Sequence, residues 1–167
     1  MNGVKHMALT ALDYEEIRQV INRYSHSLDF QDWDMFVNCF AEDGSFEAES
    51  TRDDLNGRHV GHDELREFGQ SVASYCVGHV RHAAVTTVID ADGDGAKARS
   101  YCIIYRDYGP PNGLGQQTPF ANIVTSGVYD DQLVKVDGRW AFKARVFSYD
   151  GLPRLIDAVG KPLGYGS

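Results

Sequence analysis

Residues 120–149 read FANIVTSGVYDDQLVKVDGRWAFKARVFSY. Two runs rich in Val, Ile, Phe, Tyr and Thr flank Asp137-Gly138. An Asp-Gly step between alternating apolar residues is the strongest short-range hairpin signal a sequence carries. Phe120–Val136 and Arg139–Tyr149 are therefore read as two long antiparallel strands. The stretch before them behaves alike: Val80–Ile89 and Ala96–Asp107 are β-forming runs around the turn segment Asp90 to Gly95. Tyr108 to Pro119 holds three prolines and three glycines and is read as a loop between strands.

Upstream the period changes from two to that of a helix. Ile17, Val20, Ile21, Tyr24 and Leu28 form one apolar stripe, and Asp13 with Glu16 three residues on reads as a capping box. Asp32 is the expected N-cap of a short helix carrying Trp33, Phe36, Val37 and Phe40, stopped by Ala41 to Gly44. Ser45 to Glu49 is read as a short strand and Thr51 to Gly61 as a polar loop. A third helix with Leu65, Phe68, Val72 and Tyr75 inward follows, ending at Gly78. Helices first and a strand meander second make an α+β domain over residues 11–150. A long antiparallel sheet curled round the helices leaves a cone open at one end, where a small molecule fits. Residues 1–10 are expected to be a disordered leader and 151–167, rich in Gly and Pro, a tail or a flap over the pocket.

At 167 residues the chain fits one domain, and its 43% apolar and 24% charged residues are those of a globular protein. Its net charge of −8, with no basic run, would repel nucleic acid. No apolar stretch approaches the roughly 18 residues a membrane span requires, and the N-terminus lacks the pattern of a secretory signal. Three widely spaced cysteines (Cys39, Cys76, Cys102) read as free thiols in a reducing cytoplasm.

Metal patterns are incomplete. Asp90, Asp92, Asp94 and Gly95 begin a calcium loop, but its twelfth position is Tyr101 instead of a glutamate. His79 and His82 sit three apart in a strand and point to opposite faces, and His59 with His62 has no further ligand in register. No metal is expected.

His82, with Ala84, Thr86 and Val88 expected on its own face, is a candidate base. A histidine on such a face is ordinarily a hydrogen-bonded core residue, so the functional reading needs a carboxylate to orient the ring. Asp29 is the nearest to hand. It ends the first helix beyond the apolar stripe, where an unpaired carboxylate is expensive to bury; a solvated surface position is the plainer alternative. Tyr24 and Asp29 lie about 140° apart on a helix, so they converge only if it ends or bends between them.

A resemblance sharpens these readings. Tyr24-Ser-His-Ser-Leu-Asp29-Phe-Gln-Asp-Trp33-Asp, followed by Cys39-Phe40-Ala-Glu-Asp43, resembles the first two helices of SnoaL-like proteins in the nuclear transport factor 2-like superfamily. The later pieces agree in order: Gly61 opening a helix, Val80-Arg-His82 opening a strand, Gly127-Val-Tyr129-Asp, and Val136-Asp-Gly-Arg-Trp140 leading to Arg145. The enzymes it is similar to are scytalone dehydratase, bile acid 7α-dehydratase and hexachlorocyclohexane dehydrochlorinase. The resemblance implies a cone-shaped, cystatin-like α+β barrel, no metal or organic cofactor, and a homo-oligomer, a dimer or trimer. It also implies an Asp–His dyad, Asp29 with His82, that abstracts a proton, and it assigns Tyr24 and Arg145 to the site. Tyr105 stands where the bile acid enzyme has a second acidic residue, which argues against the same substrate. Tyr105, Tyr129 and Trp33 are expected as pocket walls, although each is equally explained as core.

The function implied is a metal-free lyase or isomerase, of dehydratase, dehydrohalogenase or cyclase type, acting on a small apolar ring compound in the cytoplasm. The alternatives are a non-catalytic binding or association domain, like the small subunit of ring-hydroxylating dioxygenases, and an epoxide or lactone hydrolase.

Overall fold

The first helix starts where a threonine and an aspartate can satisfy each other. In the computed structural model, which describes residues 8–49, 56–75, 79–107 and 121–150, helix α1 spans Ala11–Phe30. Thr10 is its N-cap: the Thr10 hydroxyl accepts from Asp13 N, and the Asp13 carboxylate accepts from Thr10 N at 2.9 Å. The capping box therefore lies three residues earlier than Asp13–Glu16, because Asp13 serves as the third helical residue. Leu9 packs on the core and Thr10 caps the helix.

Asp13 is also the bolt between α1 and the last hairpin. It accepts from Lys135 Nζ at 2.8 Å and from Trp140 Nε1 at 2.9 Å. The Lys135 hydrogen bond first, and those of Thr10 and Trp140 after it, hold the Asp13 carboxyl well below the ordinary carboxylate value of 3.8. A group depressed on folding adds stability that is complete above its unfolded value and is lost as pH falls through the folded one. Asp13→Asn is accordingly expected to lower the melting temperature at neutral pH and to flatten its decline in acid. Parallel acid losses in variant and wild type would show that the clamp is not the source.

Ile17, Ile21, Tyr24 and Leu28 form the buried stripe of α1. The helix stops at Gln31, left-handed at φ 58, whose N–H donates to Leu28 O while Asp32 N donates to Ser27 O. Asp32 then caps α2 (Trp33–Val37) by accepting from Met35 N. The chain turns directly into strand β1 (Phe40–Glu49), longer than expected: it starts at Phe40, read as part of the helix stripe, and takes in the whole segment read as a helix stop. A short strand β2 (Gly57–Val60) occupies the end of the expected polar loop, and α3 (Gly61–Tyr75) follows. Then come β3 (His79–Asp92), β4 (Gly95–Asp107), β5 (Ala121–Val136) and β6 (Arg139–Tyr149). The Asp137-Gly138 turn has both residues at positive φ, 49 and 79, the conformation in which a two-residue turn matches strand twist.

The sheet order is β2-β1-β6-β5-β4-β3. All pairings are antiparallel except β1 with β6, which is parallel. Among the described residues the sheet is thus mixed, not wholly antiparallel, and unclosed, with β2 and β3 at its edges; both points correct the sequence expectation. The expectation of antiparallel strands holds for the meander but not for the strand donated by the helical half. Helix α1 touches both β3 and β6, and α3 touches β1, so the helices fill the concave side. Among the described residues no helix is long and apolar enough to cross a membrane. The expected 151–167 tail and the Tyr108–Pro119 loop lie outside the described residues, as does Cys76.

Candidate active site

A carboxylate in the last turn of a helix faces the negative end of the helix dipole, so it needs strong local donors. Asp29 finds them on β3, the edge strand of the described sheet. The His82 backbone N–H is shared between Asp29 Oδ1 at 3.1 Å and Oδ2 at 3.2 Å, and His82 Nδ1 lies 2.7 Å from Oδ1. Both side chains are only 7% exposed. A carboxylate can only accept, so the proton between the two sits on Nδ1, and the neutral ring offers Nε2 as its base. The carboxylate thereby fixes backbone, ring orientation and tautomer together. Leu28, Gln31, Val72, Ala73 and Val80 complete a cleft at this pair, whose void of about 20 Å³ admits roughly one water molecule.

The other expected site residues form a second, separate cluster. Because α1 runs straight through to Phe30, Tyr24 and Asp29 do not converge. Tyr24 points into the interior, where its ring meets Phe36, Phe46, Tyr129 and Phe142. Arg145 is fully enclosed, and its guanidinium carbon lies 4.2 Å from the ring centroids of Tyr24 and Tyr129 and 4.0 Å from that of Phe142. It is held by a fork of hydrogen bonds to Asp131, Nε at 2.7 Å and Nη2 at 2.8 Å. Burial opposes the arginine charge, but the Asp131 carboxylate more than offsets this and its net shift is upward. Arg145 Nη1 is buried with no hydrogen-bond partner among the described residues. Burial also pushes the hydroxyls of Tyr24 and Tyr129 far above the ordinary phenol range, so both remain neutral.

Cys102 stands between the clusters. Its register partners across the sheet are Ala84 and Gly127, one step along the concave face from His82 and Ile104. Burial raises its thiol, which also feels the charges of Arg145 and Asp29. Gly127 is required there: a Cβ would stand 2.3 Å from Ser148 O and 2.7 Å from the Phe147 ring.

Two expected wall residues are not in either place. Tyr105 lies on the convex face, 37% exposed, because it is one residue out of phase with Ile104, the partner of His82. Trp33 packs edge-on to Phe36 and over Gly69, between α2 and α3. Both assignments are corrected: neither side chain lines the dyad cleft. Tyr129 lines the interior cluster instead.

The histidine pairs have local explanations. His59 stacks on Phe68 at 4.6 Å, and His62 Nε2 sits 3.1 Å from Phe40 O. Asp92 closes a tight turn with Gly95 and pairs with Lys97 at 3.2 Å. Among the described residues no three His, Cys, Asp or Glu side chains are grouped to hold a metal ion.

Helices packed on a curved, open, mixed sheet, with a buried carboxylate–imidazole pair at one edge, define the class as a cystatin-like α+β domain. The chain belongs to the SnoaL-like family, whose domain model matches residues 9–146. Among solved structures it is similar to a protein of unknown function with a cystatin-like fold from Nostoc punctiforme, at 27% identity and TM-score 0.71, covering 89% of this chain and 100% of that one. It is similar also to Rv3472, a protein of unknown function from Mycobacterium tuberculosis, at 28% identity and TM-score 0.68, covering 86% and 79%. ActVI-ORFA from Streptomyces coelicolor shares the fold, at 18% identity and TM-score 0.67, covering 83% and 98%. No curated protein matches the chain at a significant level.

Proposed function

We propose that this chain is a lyase or isomerase that abstracts a proton from a small, largely apolar ring compound with its own side chains. The single observation that supports it most is the 2.7 Å contact between His82 Nδ1 and Asp29 Oδ1, with both groups almost withdrawn from water. In this reading His82 Nε2 takes a proton from carbon beside a carbonyl or beside a leaving group. The electron pair of the broken C–H bond then forms the new double bond or the enolate. Asp29 stabilises the imidazolium, which returns its proton to the departing hydroxyl, to water or to another carbon. Leu28, Val72, Ala73 and Val80 supply apolar groups beside the pair, and a ring compound has to widen a cleft that admits about one water molecule.

Arg145 Nη1, a buried donor without a partner among the described residues, is the group suited to a developing oxyanion. Tyr24 serves it as a stacking surface. For the guanidinium to reach a substrate held at His82, the ring must enter past Cys102, which makes occupancy of the interior part of the reaction.

The reading is tested with a panel of hydroxylated and halogenated ring ketones, following loss of water or acid. Turnover of at least one member, abolished in His82→Ala, is the expected result. Labelled oxygen from solvent water entering the product would instead mark a hydrolase. The complete enclosure of Arg145 and Tyr24 favours a second reading, a domain that binds ring compounds without turning them over. Saturable binding with no turnover across the panel would establish it.

A further inference from the structure

Gln31 stands in a conformation that glutamine seldom takes. It closes α1 at φ 58 and ψ 35, the left-handed region where a Cβ crowds the following carbonyl oxygen and which helix ends ordinarily give to glycine or asparagine. Its backbone serves the helix end with or without a side chain, since the contact made there is Gln31 N–H donating to Leu28 O at 3.3 Å. The carboxamide therefore adds nothing to the cap, and a backbone outlier of this kind points toward function.

Its surroundings show which function. Gln31 is exposed and lines the cleft of Asp29 and His82, whose remaining walls are the apolar Leu28, Val72, Ala73 and Val80. Asp29 and His82 are committed to each other. Among the described residues, the Gln31 carboxamide is thus the one polar side chain of the cleft that neither supplies the base nor orients it. A carboxamide offers two donors and an acceptor, so it can meet a hydroxyl or a carbonyl. Charge narrows the choice further. The described lining holds one carboxylate and neither lysine nor arginine, so an anion brought in by a substrate would meet repulsion with no counter-charge.

We propose that Gln31 selects the substrate: a neutral ring compound that carries, besides the group at its reacting carbon, a hydroxyl or carbonyl on the far side of the ring, held at the cleft mouth by the Gln31 carboxamide. The inference rests on the dyad cleft being the seat of the ring compound, and it adds the second polar group to that reading. Exposure sets the magnitude. A buried site left with an unpaired polar group rejects the wrong analogue very strongly. At an exposed amide water replaces the missing partner, so the preference amounts to about three- to tenfold in Kd, the usual net worth of a neutral hydrogen bond.

Cyclohexanone, 4-hydroxycyclohexanone and 4-oxocyclohexanecarboxylate test this by binding alone, titrated into the whole chain while the His82 ring protons are followed by NMR. The hydroxy ketone is expected to bind about three- to tenfold more tightly than cyclohexanone, and the carboxylate more weakly than either. In Gln31→Leu the two neutral ketones should bind alike. Gln31→Gly should melt at a higher temperature than the wild type, because the strain is gone, and should lose the same preference. A side chain that matters only to the helix end predicts that higher melting temperature with the preference intact. Equal Kd values for the neutral ketones in the wild type, a preference that survives Gln31→Leu or Gln31→Gly, or no saturable shift at His82 with any of the three overturns the proposal. Hydroxyl-selective binding at His82 without turnover of any ring ketone would support it while overturning the lyase reading.

Discussion

His82→Ala is expected, on the proposed reading, to lower kcat/KM about 10²- to 10⁴-fold on any substrate the chain turns over, the usual worth of a positioned general base. The alanine variant should still fold, for a specific reason. Two of the three contacts to Asp29 come from the backbone N–H of residue 82 and survive the substitution. The tie between α1 and the edge of β3 therefore remains, and the loss can be read as chemistry. Asp29→Asn probes the other half. It removes the charge that steadies the imidazolium while keeping an oxygen to accept from His82, so kcat should fall with KM little changed. The double variant should be hardly worse than His82→Ala, because groups acting as one unit are not additive. A fall of less than threefold in His82→Ala, with the melting temperature unchanged, would remove the residue from the mechanism.

The second large effect is on stability. Asp131→Asn should cost about 3–5 kcal/mol, the usual penalty for leaving one member of a buried ion pair without its partner. Against a total of about 5–15 kcal/mol, that would unfold a large fraction of the molecules at modest temperature. The denaturant midpoint should drop while its slope is preserved. Replacing both members, as in Asp131→Leu/Arg145→Met, should recover most of the loss, since apolar residues of similar size often substitute for such pairs without cost. The double replacement also separates scaffold from chemistry. Restored stability with restored turnover would make Arg145 structural, whereas restored stability with turnover still lost would place its guanidinium on the substrate. A loss below about 1 kcal/mol in Asp131→Asn would mean that the pair is hydrated.

Asp131 is also the residue that sequence reasoning passed over, and the reason is instructive. Adjacent aspartates in a strand must face opposite sides, so one of Asp130 and Asp131 had to turn inward and find a cation. Counting back from the Asp137-Gly138 turn, however, sets Asp131 opposite Ala144. Only the register shift between Gln132 and Leu133 brings it opposite Arg145. A bulge leaves no mark in composition or periodicity. The same limit applied to Tyr105, whose side of the sheet depends on the phase of β4. By contrast, the pairing of β5 with β6 was legible because two residues impose the turn. The contact of Asp29 with His82 followed from family likeness more than from periodicity, which cannot show that a helix end meets a sheet edge. Nor could local pattern reveal that β1 runs parallel to β6, since that pairing is made across the whole length of the domain.

That parallel pairing has a consequence for how the molecule comes to exist. Asp43 and Lys143 join the two strands across 100 positions of chain, and β6 is the last of the described strands. On the ribosome β1 must wait, without this partner, until β6 has emerged. Refolding should therefore be slow for a domain of this size, and chaperone capture of nascent chains that end before Arg139 is the expected companion of its synthesis.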